Sequence, residues 1–359
     1  MRTAGSRAAA VGTRRRTVAA LAAVGLVFAA SAVALPWHVA RAADAPEAYV
    51  FDVNNNTVFS LDTVTRSWVG AKLKTKGGRK LAMSQDGKTA VLYREFKDPQ
   101  DATKVTKDFL RFDLASGKQI GDPITLDEGA VTSVILSQDN TTLYAAGHSD
   151  KITRIDIVGW KPLAPLTLTP DPGPKYFGDV RIALSPDQKR LHLAHKGTRR
   201  LETFDAATGS RTVDSQVLGG HPMTPVPSQD GTRLYVPLVD KDAIQIVDAA
   251  TDKPVGDPVP ACGGPAYLAL TKDGGRAYVS CSNSNQIAVI DTAKAVRIGD
   301  LIGVARDPLG TVLTPDGSKL VVAHGFGHAA TFIDIATGTI DGEIVDFPSD
   351  DAMVGLTIR

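Results

Sequence analysis

Residues 271–291, TKDGGRAYVSCSNSNQIAVID, hold the reading that decides the fold. Forty-three residues earlier stands SQDGTRLYVPLVDKDAIQIVD, and forty-three later TPDGSKLVVAHGFGHAATFID. Each copy carries an Asp-Gly turn, a short apolar run, a polar loop, a second apolar run and a closing Asp. Asp-Gly between alternating apolar residues is a strong hairpin signal. A fixed period near 43 residues with several strands per unit is the mark of a β-propeller.

The turn aspartates align as Asp86, Asp139, Asp187, Asp230, Asp273 and Asp316. A second column, Asp62, Asp113, Asp156, Asp205, Asp248, Asp291 and Asp334, closes the other apolar run. One column has six members and the other seven, and the termini resolve the difference. Thr357 follows Thr314 by 43 residues, so MVGLTIR at 353–359 reads as the first strand of a unit without its turn. AYVFDVNNNTVFSLDTVTRSWVG at 48–70 supplies the other three strands. The expectation is an all-β, seven-bladed propeller over residues 43–359, with four antiparallel strands (A to D) per blade. Sharing one blade between the chain ends seals the ring and leaves no free edge. The aspartates repeat in every blade and sit at turns, where Asx side chains bond their own backbone. They are therefore read as structural.

RLYVPLVDKDAIQIVDAATDKPVG and RAYVSCSNSNQIAVIDT resemble the YVTN family of β-propeller repeats. The resemblance spans the region after residue 42, although the B strands VLYREF, LYAAGH and LHLAHK are more degenerate. It implies a seven-bladed, exported or surface-associated protein of lactonase-like or surface-layer type. It implies little about activity, since that scaffold serves binding proteins, lactonases and lyases.

The first forty-odd residues differ from the rest. Five arginines between Arg2 and Arg16 precede an apolar run from Val18 to Leu35, and Ala40-Arg41-Ala42 follows. That is the pattern of a cleavable signal peptide over residues 1–42, and TRRRTV loosely resembles a twin-arginine signal. An uncleaved anchor is the competing reading. Cleavage would remove six arginines and no acid, leaving 34 basic side chains against 39 acidic. A mildly acidic domain has no basic field to draw nucleic acid, and no further apolar run is long enough to span a membrane. A secreted monomer is expected.

Departures from the period locate the specialised loops. Nine extra residues fall between strands B and C of blade one, within Arg94–Asp108, and six precede the third A strand, in TPDPGPKYFGD. B–C and D–A connections emerge on the same side of the disc, so both insertions decorate one face, where function is expected. The same side collects Arg94, His195 and His324 eight residues after a turn Asp, and His221 and Asp307 nine before one. These five are the candidate ligand-binding residues. Imidazole and carboxylate could hold a divalent metal, but no compact ligand spacing supports it, and no cofactor is expected. His192, inside a B strand, is read as packed.

Cys262 and Cys281, the only two cysteines, bracket the A and B strands of blade five, which suits a disulfide. Neither CxxCH, G-x-S-x-G nor HExxH occurs. The expected function is a ligand-binding or protein-interaction module whose partner is a small molecule, glycan or protein. The alternative is a lactonase-like hydrolase or lyase using His and Asp around the funnel, and a redox propeller ranks third.

Overall fold

The computed structural model describes residues 47–358, apart from 53–55, 85, 98–100, 102–104, 126–128, 169–178 and 348–352, and gives 353–358 as backbone only. The signal-peptide reading of residues 1–42 and most of the second insertion lie outside this set. Among the described residues no helix is long and apolar enough to cross a membrane.

Seven antiparallel sheets form, each in A-B-C-D order. Blade five runs Pro265–Leu270, Arg276–Cys281, Gln286–Asp291 and Val296–Gly303, matching the expected boundaries within a residue. In blades one and six the outer strand breaks into two short pieces, both paired with strand C. The closing blade takes its A strand, Met353–Ile358, from the C-terminus and its B strand, Glu47–Asp52, from the N-terminal side. Ala48, Tyr49 and Val50 pair with Ile358, Thr357 and Leu356.

The turn aspartates act on their own hairpins. Asp86 accepts a bond from the Ser84 hydroxyl at 2.6 Å, and Ser84 Oγ in turn accepts the Thr89 N–H at 2.9 Å. Thr271 with Asp273 and Thr314 with Asp316 repeat the arrangement. These bonds favour the charged carboxylate and hold its pKa below the usual range in all six turns, Asp316 to about 2.

Apolar side chains of the B and C strands pack between neighbouring blades. Ile244 and Ile246 of blade four meet Leu268 and Val279 of blade five. Tyr49 and Phe51 of the closing blade meet Leu92 and Leu110 of blade one, and Ala48 and Leu61 meet Val321 and Phe332 of blade six. All seven junctions carry such a cluster.

The nine-residue insertion differs from the expected loop. Its flanks continue the hairpin: Glu95 pairs with Lys107, Phe96 with Thr106 and Lys97 with Val105. Phe96 alternating with charged neighbours gives the strands reason to continue, since Lys76 and Arg94 both lie over its ring at 5.1 Å.

Two outcomes test this architecture. Deleting residues 352–359 leaves the channel-side edge of Glu47–Asp52 unpaired, so the truncated protein should melt well below the parent or aggregate; unchanged melting would contradict the ring. Cys262 and Cys281 are disulfide-bonded, closing a 19-residue separation. Replacing both by Ser should cost on the order of 3 kcal/mol in denaturant unfolding.

Candidate functional site

The five candidate residues each acquire a local partner. Arg94 forms a two-pronged ion pair with Asp108 on the facing strand, the Nη2–Oδ2 bond being 2.7 Å. His195 is buried, with Nε2 2.8 Å from the Glu202 carboxylate, whose other oxygen meets Arg211 at 2.6 Å. His324 is also buried and bonds the Thr331 hydroxyl at 2.8 Å through Nε2. Removal from water pushes its pKa down to about 4, so it is neutral at physiological pH. In each case a residue of strand B reaches strand C of its own blade.

The residues at the start of strand A follow a backbone rule. Gly77, Gly264 and Asp307 all have φ between 59° and 71°. Glycine takes that conformation without steric cost, and Asp is among the few other residues that tolerate it. Asn285 Oδ1 accepts the Asp307 N–H at 2.8 Å, as Asp242 accepts that of Gly264 at 2.9 Å. Burial raises the pKa of Asp307. His221 is partly exposed; its N–H donates to Asp240 Oδ1 at 2.5 Å, and its Nδ1 lies 3.5 Å from Oδ2. His195 and His221, on neighbouring blades, thus engage different carboxylates.

None of the five lines the cavity at the channel. That cavity, about 210 Å³, is walled by the A strands and by Tyr49 and Phe51. Its polar lining comes largely from one structural position, six residues before each turn Asp: Lys80, Ser133, Arg181, Thr224 and Tyr267. The equivalence is physical as well as numerical. Lys80 pairs with Tyr93, Ser133 with Ala146, Arg181 with Ala194 and Tyr267 with Ser280, the residue seven beyond the turn Asp every time. In blades one, two, five, six and seven the A–B register slips just before this level. Such bulges re-aim side chains at the rims of β-structures. Thr132 and Ser133 also tie blade two to blade three, Thr132 Oγ1 donating to the Val180 carbonyl at 2.8 Å.

The lining is cationic. Arg79, Lys80 and Arg181 contribute positive charge, and among the described residues no His, Asp or Glu lines the cavity. Asp179 binds Arg181 at 2.5 and 3.1 Å. Among the described residues neither Arg79 nor Lys80 has a carboxylate within ion-pair distance. Burial, and next the charge of Arg181, lower the pKa of Lys80. Among the described residues no three His, Cys, Asp or Glu side chains gather closely enough to hold a metal ion. The signal that would have found this level is the column six before the turn Asp, where the period holds but the residue type changes from blade to blade.

The opposite face has its own cavity, about 570 Å³, beneath the A–B turns of blades three and four, with His192 in its lining. His192 is buried as expected, and Nδ1 bonds Thr203 Oγ1 at 2.7 Å. Thr203 donates in turn to Asp252 Oδ1 of blade four at 2.8 Å. The second Asp252 oxygen is buried without a hydrogen-bond partner. Burial pushes Asp252 up to about 6 and His192 down to about 4.

No protein-family profile and no curated protein matches the chain. Solved structures do. A Lactobacillus plantarum protein superposes with a TM-score of 0.71 at 18% identity, covering 88% of this chain and 99% of its own. A Bacteroides fragilis protein provisionally assigned as a 6-phosphogluconolactonase gives 0.67 at 17%, covering 89% and 99%. The Pseudomonas aeruginosa periplasmic gluconolactonase PpgL gives 0.67 at 16%, covering 87% and 98%. The likeness is one of fold.

Stability should register the buried histidines. Between about pH 6.5 and 4 the unfolded chain protonates its imidazoles while folded His192 and His324 stay neutral, so folding weakens as pH falls. Asp252 acts oppositely: its folded carboxyl takes up a proton near pH 6, before the unfolded one does, so folding gains. In urea unfolding at pH 7 and 4.5, His324→Gln should flatten the acid loss and Asp252→Asn should steepen it, each by on the order of 2 kcal/mol. The reverse ordering would contradict these assignments.

Proposed function

We propose that this is an exported binding propeller that takes a small anionic molecule into the mouth of its central channel, on the face bearing the two insertions. The observation that carries the reading is the cationic level of Lys80 and Arg181, with Arg79 beside it and hydroxyls of Ser133, Thr224 and Tyr267 around it. Among the described residues Lys80 has no carboxylate at ion-pair distance, while Arg181 is paired with Asp179; an unpaired cation in a partly enclosed, low-dielectric space attracts an anion more strongly than an exposed one does. A space of about 210 Å³, roughly seven waters' share of liquid volume, suits a molecule the size of one sugar ring. Export is supported by the disulfide, which persists in oxidising compartments, and by the N-terminal Arg-rich and apolar pattern. The YVTN-like repeats are consistent with both.

Lactone hydrolysis is the second reading, favoured by the two structural neighbours named as lactonases. Cations and hydroxyls in the lining would stabilise a developing oxyanion. Ring opening also needs a base to activate water, and the lining residues supply neither imidazole nor carboxylate. Binding is therefore preferred.

Titration calorimetry with inorganic phosphate, gluconate and gluconolactone tests the choice. Arg181→Gln and Lys80→Gln should each weaken anion binding about tenfold, the loss of one charge-assisted bond, while Lys319→Ala at an A–B turn should not. Binding lost in His221→Ala with both channel variants unaffected would move the site outward to the rim. Turnover of gluconolactone above background would favour the hydrolase.

A further inference from the structure

Lys80 combines three features that exposed lysines lack. It lies at the channel level opposite Tyr93, directly after the bulged Arg79, so its side chain lines the cavity. Among the described residues no carboxylate is within ion-pair distance, and Asp179, whose charge acts on Lys80, is occupied by Arg181. Two cationic side chains, Arg79 and Arg181, line the same cavity. An ammonium placed among cations and withdrawn from water releases its proton more readily than a free lysine. The neutral amine is the nucleophilic form, and the pairing of a desolvated lysine with a neighbouring cation is a recurrent way to activate it. The downward shift of the Lys80 pKa runs in that direction. Ser133, Thr224 and Tyr267 add hydroxyls able to hand a proton to, or take one from, an oxygen in the cavity.

We propose that Lys80 is a reactive amine that captures an anionic aldehyde or ketone as an imine within the channel. The inference rests on the anion-binding reading and adds the chemistry of the ligand. Arg79 and Arg181 hold the anionic group while the Lys80 Nζ lone pair attacks the carbonyl carbon. A C–N bond forms, the carbonyl oxygen takes up a proton, and the amine nitrogen loses one to give a carbinolamine. Loss of water then leaves the imine, and hydrolysis reverses the sequence. Nothing is oxidised or reduced.

The experiment uses the secreted full-length protein with pyridoxal 5′-phosphate as the anionic aldehyde, pyridoxal as its phosphate-free counterpart, and cyanoborohydride to fix any imine. Peptide mass spectrometry reads the modified lysines. Lys80 should be labelled about tenfold faster at pH 7 than the exposed Lys88 and Lys294, and inorganic phosphate should slow it. Arg181→Gln should lower the rate at pH 7 and move the pH profile of labelling to higher pH. Lys80→Arg, which removes the nucleophilic amine, should abolish the fast phase. Labelling of Lys80 no faster than of Lys88, with phosphate still bound, would overturn the reactive amine and leave the anion site standing. Equal labelling of Lys80 by both aldehydes, unaffected by phosphate, would overturn the anionic ligand while leaving a reactive lysine.

Discussion

Everything in this domain depends on four residue pairs at the seam, Ala48, Tyr49, Val50 and Asp52 against Ile358, Thr357, Leu356 and Met353. Each of the seven hydrophobic clusters is shared by two blades, so no blade owns a complete core. An open arc would expose two cluster halves, one at each end. Burying apolar area is worth roughly 25 cal/mol per Å², and the clusters at the seam contain Tyr49, Phe51, Leu61 and Phe332, large side chains that are almost fully enclosed. A few backbone hydrogen bonds thus hold two junctions that are themselves far larger in energy.

The seam also fixes the channel. Tyr49 and Phe51, from the closing blade, belong to the same cavity lining as Lys80 and Arg181. Bringing cations to that position costs solvation, and the cost falls on side chains rather than on the ladder. Bulges absorb the local change in direction, and Thr132 and Ser133 keep the adjacent A strands in register through hydroxyl bonds. The insertion-bearing face and the turn face are electrostatically distinct. Carboxylates of the A–B turns are bonded by their own Ser, Thr and backbone donors, whereas Lys80 at the channel has no carboxylate at ion-pair distance among the described residues.

The architecture was legible because it repeats. Period, turn aspartates, strand boundaries, the closing blade and the cysteine pair all follow from residues whose role is the same in each unit. The site was less legible for the converse reason. Columns that drew attention by their histidines and aspartates have local explanations: His195 and His324 bond across to strand C, and Asp307 occupies a left-handed position that Gly77 and Gly264 share. The column that lines the cavity runs Lys, Ser, Arg, Thr, Tyr, Gly, and a set without common chemistry leaves no motif. In a repeat scaffold the variable position inside a conserved register carries the individuality. The insertion of blade one was placed in the right connection, but a hairpin continuing past the blade cannot be told from a loop when its alternation is only a few residues long.

Sharing one blade between the chain ends has a temporal side. Glu47–Asp52 is synthesised about 300 residues before Met353–Ile358. The A–B hairpins, held by their own Asp and Ser or Thr, can assemble while the polypeptide is still growing. Blade seven cannot, since its A strand does not yet exist. Closing so long a segment costs little more entropy than closing one of half the length, only about 0.6 kcal/mol per doubling, so the delay is one of order and not of affinity. On the proposed export reading, a translocation machine that threads extended chains has this whole interval in which to act. One that carries finished proteins must wait for residue 358.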